Sequence, residues 1–92
     1  SPLRGATIIN LSPAVVEEFG VEALRNGVLI ADMDEGSSAA AMNFQKGDVI
    51  LSINDARITT TRELEQATAK GRYFWKISIG RGGQVLTTVV GG

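Results

Sequence analysis

Neither cysteine nor histidine occurs in this 92-residue chain. Without cysteine there is no disulfide framework and no thiolate metal site. That absence is compatible with an oxidising compartment but does not establish one. Without histidine the chain lacks the usual general base near neutral pH, the middle member of a Ser-His-Asp relay and the commonest metal ligand. No motif gathers the remaining carboxylates, lysines and hydroxyls, so a free-standing enzyme is disfavoured and neither metal nor cofactor is expected. Charge of one sign is also lacking. Ten acidic and nine basic residues leave a net charge of −1, scattered along the chain, with no basic patch for nucleic acid and no solvating acidic tail. The longest apolar runs are far short of the ~20 residues that span a membrane, so no membrane insertion is expected. Ser1-Pro2-Leu3 carries no signal-peptide pattern, and the chain has no internal repeat, low-complexity segment or linker.

What is present is ordinary for one folded domain: 43% hydrophobic and 21% charged residues. Residues 1–92 are expected to form a single domain with one modest core. The missing initiator methionine and the closing Gly91-Gly92 suggest a fragment of a longer protein.

The organising stretch is Arg4-Gly5-Ala6-Thr7-Ile8-Ile9-Asn10, where a basic residue and a glycine lead into a β-branched run. Gly5 lets its backbone approach another group closely. The N–H groups of Ala6, Thr7 and Ile8 could then form a backbone nest that holds a carboxylate. Ile8-Ile9-Asn10-Leu11 reads as a strand whose edge could accept a peptide as an extra strand. An ordinary N-terminal strand after a glycine turn fits the same residues.

Ser12 and Pro13 open a short helix at 13–19, with Val15, Val16 and Phe19 apolar and Gly20 as its stop. Residues 21–27 make a connector ending in an Asn-Gly turn. Val28–Met33 is a mostly continuous apolar strand, which implies burial on both faces. Ser37-Ser38-Ala39-Ala40-Ala41-Met42 reads as a short helix behind a serine cap, and Asn43 suits a left-handed stop before the apolar anchor Phe44. Gln45–Asp48 is a turn into Val49–Ile53, the strongest strand. Asn54-Asp55 turns into a short Ala56-Arg57-Ile58. Thr59 or Thr60 caps a helix at 61–70 that Gly71 closes. Phe74–Ile79 alternates, with Trp75, Ile77 and Ile79 on one side. Arg81–Gln84 is a hairpin turn, and Val85–Val90 returns antiparallel to 74–79. The expected fold is mainly β with helices (α+β): a small, partly open barrel or sandwich of five to six strands capped by two to three short helices.

Gly36-Ser37-Ser38-Ala39-Ala40-Ala41, followed by Phe44-Gln45-Lys46-Gly47-Asp48-Val49-Ile50-Leu51-Ser52-Ile53-Asn54, resembles the core signature of bacterial PDZ domains. The resemblance covers essentially the whole chain. Within that family it is most similar to a PDZ domain of an HtrA (Do-like) serine protease. Arg4–Ile8 ahead of a helix, and the closing Ile79–Gln84, point to the second, C-terminal PDZ domain of such a protein.

The resemblance implies a non-catalytic module of a periplasmic serine endopeptidase. Its partners would be C-terminal or unfolded peptide segments, together with the protease domain and neighbouring PDZ domain of the parent chain. Gly5-Ala6-Thr7-Ile8 lies where the family has its glycine-leucine-glycine-phenylalanine-type carboxylate-binding loop. Here alanine stands for the usual leucine, and threonine for the second glycine. Ser38 replaces the usual proline and Asn43 the usual glycine. The expected peptide-binding residues are Arg4, Gly5, Ala6, Thr7, Ile8, Ile9 and Asn10 from the loop and strand. Thr61, Leu64, Glu65 and Thr68 are the helical candidates. A leucine at regular helical spacing suits the core better than the groove. The competing reading is a structural module with a degenerate groove that packs between domains or subunits.

Overall fold

Alternating apolar and polar residues favour strands with one face buried, as over residues 74–79, and continuous apolar runs favour strands buried on both. Six strands pair into one antiparallel sheet. The computed structural model describes residues 3–19, 27–69, 71 and 73–91, the side chain of Phe19 excepted. Its elements are β1 (Ala6–Asn10), α1 (Pro13–Phe19), β2 (Val28–Met33), α2 (Ser38–Ala41), β3 (Val49–Ile53), β4 (Ala56–Arg57), α3 (Thr61–Thr68), β5 (Phe74–Arg81) and β6 (Gln84–Gly91). The sheet order is β1-β2-β3-β5-β6, with β4 pairing only β3. The sheet is therefore open, with β1 at one edge and β6 at the other.

Turn chemistry sets the register. Asn54 and Asp55 both take positive φ, 50° and 69°, as a two-residue hairpin linking β3 to β4 demands. Gly82 and Gly83 do the same between β5 and β6. Ser37 caps α2 by accepting from the Ala40 N–H at 3.2 Å, and Asn43 ends it in the left-handed region.

Trp75, Ile77 and Ile79 of β5 join Val28 and Ile30 of β2 and Ile50 of β3 in the core. Burial of β2 is complete over Val28–Ile30 but lapses at Asp32, so the two-sided burial expected of the whole strand holds for its first half. Helix α3 is shorter than the expected 61–70. The Thr68 hydroxyl donates to the Leu64 carbonyl at 2.9 Å, and the Ala69 N–H bonds back to Gln66. These bonds satisfy the last carbonyls two residues before Gly71. The expected helix stop at Gly20 and the connector over 21–26 lie outside the described residues.

One buried charge fixes the sheet to the loop before it. Asp48 is 2% exposed in its side chain, and it accepts from Arg81 Nε at 2.8 Å and Nη2 at 2.7 Å. The Gln45 N–H donates to the same carboxylate at 2.9 Å, while Arg81 Nη2 also reaches the Asn43 carbonyl at 3.1 Å. By local sequence both residues belong to turns. Only the antiparallel return of β5 beside β3 brings them together.

Candidate functional site

The turn that leads into β1 is anchored through its carbonyls. Leu3 C=O accepts from Ala6 N–H at 3.0 Å, Arg4 C=O from Ala39 N–H at 3.1 Å, and Gly5 C=O from Asp34 N–H at 2.9 Å. Gly5 has φ 92°, and a Cβ there would collide with the side chain of Ser37. Glycine is required on both counts. In a trans peptide the N–H lies opposite the preceding carbonyl. With the Leu3 and Arg4 carbonyls held by the protein, the N–H groups of Arg4 and Gly5 face away from those acceptors. The Ala6 N–H, by contrast, is already engaged inside the turn. The Ala6 member of the donor nest expected at Ala6, Thr7 and Ile8 is thus engaged by the Leu3 carbonyl.

The strand that follows has an open edge. Ile8 stands opposite Ile30 of β2. Ile30 donates its N–H to the Asp48 carbonyl at 2.9 Å and accepts from the Gly47 N–H at 2.8 Å, so its backbone groups point away from β1. Ile8 and Ile30 therefore form a non-hydrogen-bonded pair, and the N–H and C=O of Ile8 also point outward. By the two-residue period the same holds for Asn10. A register shift between Thr7 and Ile8, with Ala31 as the extra residue on β2, re-aims the strand just after the turn.

Helix α3 lies against β1. Thr60 caps it by accepting from the Glu63 N–H at 3.1 Å. The Glu63 carboxylate in return accepts from the Thr59 N–H at 2.8 Å and from the Thr59 hydroxyl, a capping box displaced by one residue. These bonds, the Thr59 hydroxyl foremost, hold the Glu63 pKa below the ordinary carboxylate value. A second tether comes from the strand: Asn10 Oδ1 accepts from the Thr61 N–H at 2.8 Å. It joins the last residue of β1 to the first turn of α3, satisfying one of the free donors there.

The structure brings most of the expected residues together. Arg4 and Thr7 are exposed, while Gly5, Ala6, Ile8 and Ile9 are half-buried. Ile8 packs on the core beside β1, as does Ala67 of α3, which was not among the expected site residues. Thr61 and Thr68 are half-buried and Glu65 is exposed. Leu64 is 6% exposed within the core cluster, the side that its helical spacing favours. Leu64 and Ala67 take the inward stripe, turning Glu65 to solvent. Among the described residues no group of three or more His, Cys, Asp or Glu side chains could hold a metal ion, and no helix is long and apolar enough to cross a membrane.

Comparison with known proteins adds independent findings. Residues 8–90 match the family model described as PDZ domain. Over 62 residues the chain is 31% identical to a probable periplasmic serine endoprotease DegP-like of Chlamydia trachomatis, covering 67% of this chain and 12% of that protein. It is 37% identical over 65 residues to serine protease HTR4 of Rattus norvegicus, covering 71% of this chain and 13% of that protein. The chain thus spans about an eighth of the curated relatives it matches. Among solved structures, the HtrA3 PDZ domain bound to a phage-derived ligand (FGRWV) superposes with a TM-score of 0.77 at 22% identity, over 96% of this chain and 86% of that one. The HtrA-type protease AlgW with decapeptide gives 0.78 at 24% identity, over 95% of this chain and 27% of that one.

Proposed function

The chain belongs to the PDZ domain family, and from that premise we propose that it captures extended peptide segments by strand addition at β1, as a non-catalytic module of an HtrA-type serine protease. The observation that carries this is the open β1 edge, where Ile8 and Asn10 present backbone donors and acceptors beside α3. Backbone bonds there supply affinity that is independent of peptide sequence, and the flanking side chains supply selectivity. The peptide terminus lies at the Leu3–Ala6 turn, where the N–H groups of Arg4 and Gly5 face outward and the Arg4 side chain adds long-range attraction. Ile8 and Ala67 form the floor, and Thr61, Glu65 and Thr68 line the helical side. In the parent chain the partners are C-terminal or unfolded segments of client proteins, together with the protease domain and the neighbouring PDZ domain. By the similarity to periplasmic relatives the compartment is the bacterial periplasm, and the domain takes the second PDZ position.

A packing module with a degenerate groove draws on one observation, the engagement of the Ala6 N–H by Leu3 within the turn. NMR titration of the 92-residue chain with short apolar-ended peptides, free and amidated, separates the two readings. The expected result is shifts at residues 4–10 and along α3, weakened about tenfold or more by amidation, as loss of a charge-assisted bond requires. Equal binding of both forms would remove the terminal-carboxylate site while keeping strand addition. Silence across a varied peptide set would leave the packing module.

A further inference from the structure

The opposite edge of the sheet has its own chemistry. β6 pairs β5 along its whole length, from Arg81↔Gln84 to Phe74↔Gly91, and its far side meets no further strand among the described residues. An open strand edge is a template for another chain. Proteins commonly blunt it with lysine, proline or an inward-pointing charge. The eight residues Gln84-Val85-Leu86-Thr87-Thr88-Val89-Val90-Gly91 contain none of these. On the outer face of this hairpin Phe74 is 67%, Val85 67% and Val89 63% exposed. Lys76, the charge on that face, is already paired with Asp55 at 3.0 Å.

The spacing of these residues is self-complementary. Direct cross-strand partners share a face, so Val85, Thr87, Val89 and Gly91 lie on the outer face with Gly80, Ser78, Lys76 and Phe74. A second copy of β6 placed antiparallel about a two-fold axis through Thr87 puts Val85 opposite Val89 of that copy, twice. Thr87 then meets its own symmetry mate, and every outward residue stays on the outer face. No like charges meet along the seam. We propose that β6 is a homodimerisation edge, joining two copies into one continuous sheet through this isologous pairing. The peptide edge β1 stays free at both ends of the joined sheet, because β1 and β6 lie at opposite ends of the strand order.

Charge reversal across the axis tests both the partner and the register. Val85 and Val89 lie about 13 Å apart along one strand, so charges at these two positions act on each other between copies, while Lys76, the direct partner of Val89, is a constant of both variants. Sedimentation velocity of the 92-residue chain over rising concentration should show reversible dimer. The double variant Val85→Lys with Val89→Lys should remain monomeric, because each lysine faces a lysine of the other copy. Val85→Glu with Val89→Lys should restore the dimer in a salt-sensitive form. Far-ultraviolet circular dichroism and Trp75 emission unchanged in both variants show that these exposed positions leave the fold intact. A wild-type chain monomeric at every concentration would overturn the proposal. So would a dimer indifferent to the two lysines, or a Glu/Lys variant no more dimeric than the Lys/Lys one. Peptide-induced NMR shifts at residues 4–10 that persist in the Lys/Lys variant keep this edge distinct from the peptide site.

Discussion

Single residues here act through what they force on their neighbours. Asp48 is buried and ionic, and its charge is tolerable because Arg81 meets it with two parallel bonds and Gln45 adds a third. Such a fork draws on the planar guanidinium, and lysine cannot reproduce it. The pairing also raises the Arg81 pKa above its ordinary value, the Asp48 bond being the main cause. Arg81→Ala leaves the carboxylate with a lone backbone donor in a buried site, and we expect a loss of about 3 kcal/mol in urea unfolding. Arg81→Lys should fall between the two. Gly5 is constrained as tightly in another way, by its positive φ and by the side chain of Ser37. Asn10, expected as a backbone partner for peptide, also gives its side chain to the first turn of α3.

At the scale of elements, α3 is an eight-residue helix whose start is fixed by side chains rather than by length. Isolated helices this short are marginal in water. Its capping carboxylate makes the start pH-sensitive. The folded Glu63 pKa is depressed below the unfolded value of about 4.3. Its stabilisation is therefore fully present above that unfolded value and is lost as pH falls through the lower folded pKa. Amide exchange at the start of α3, compared between neutral and acid pH and corrected for intrinsic rates, should show protection falling on acidification. Glu63→Gln should flatten that dependence. The same dependence in the variant would assign it to another group. Because α3 flanks the β1 edge, peptide affinity should fall over the same range.

For the whole molecule, the helical side of the site and the core are one packing unit. Leu64 sits in the cluster that includes Trp75, Ile77 and Ile79 from the far hairpin. Removing its side chain opens a cavity beneath α3 and should cost about 2–5 kcal/mol. The sole tryptophan, Trp75, is buried in that cluster, so its emission reports the same transition. Leu64→Ala should lower the urea midpoint seen by Trp75 fluorescence and by circular dichroism equally, as one cooperative unit does. Separate midpoints would show that α3 unfolds on its own.

Local sequence sets which segments form strands, because alternation such as Trp75-Lys76-Ile77-Ser78-Ile79 and turn pairs such as Asn54-Asp55 and Gly82-Gly83 are signals of buried face and backbone angle. It offered a serine cap before α2 and Thr59 or Thr60 as the cap of α3, and the structure takes Ser37 and Thr60, each bond spanning three residues. It also carried the family resemblance, which the match over residues 8–90 bears out. Tertiary structure decided everything that required distant residues to meet. The Asp48–Arg81 pair spans 33 positions and the Asn10–Thr61 bond 51, separations that no periodicity encodes. Packing decided which distant residues Leu64 joins in the core, Trp75 and Ile77 of β5 among them. The fold of the turn decided that the Ala6 N–H is engaged by the Leu3 carbonyl. The strand order alone placed β1 and β6 at opposite edges of the sheet, since an edge is defined by which neighbours a strand lacks.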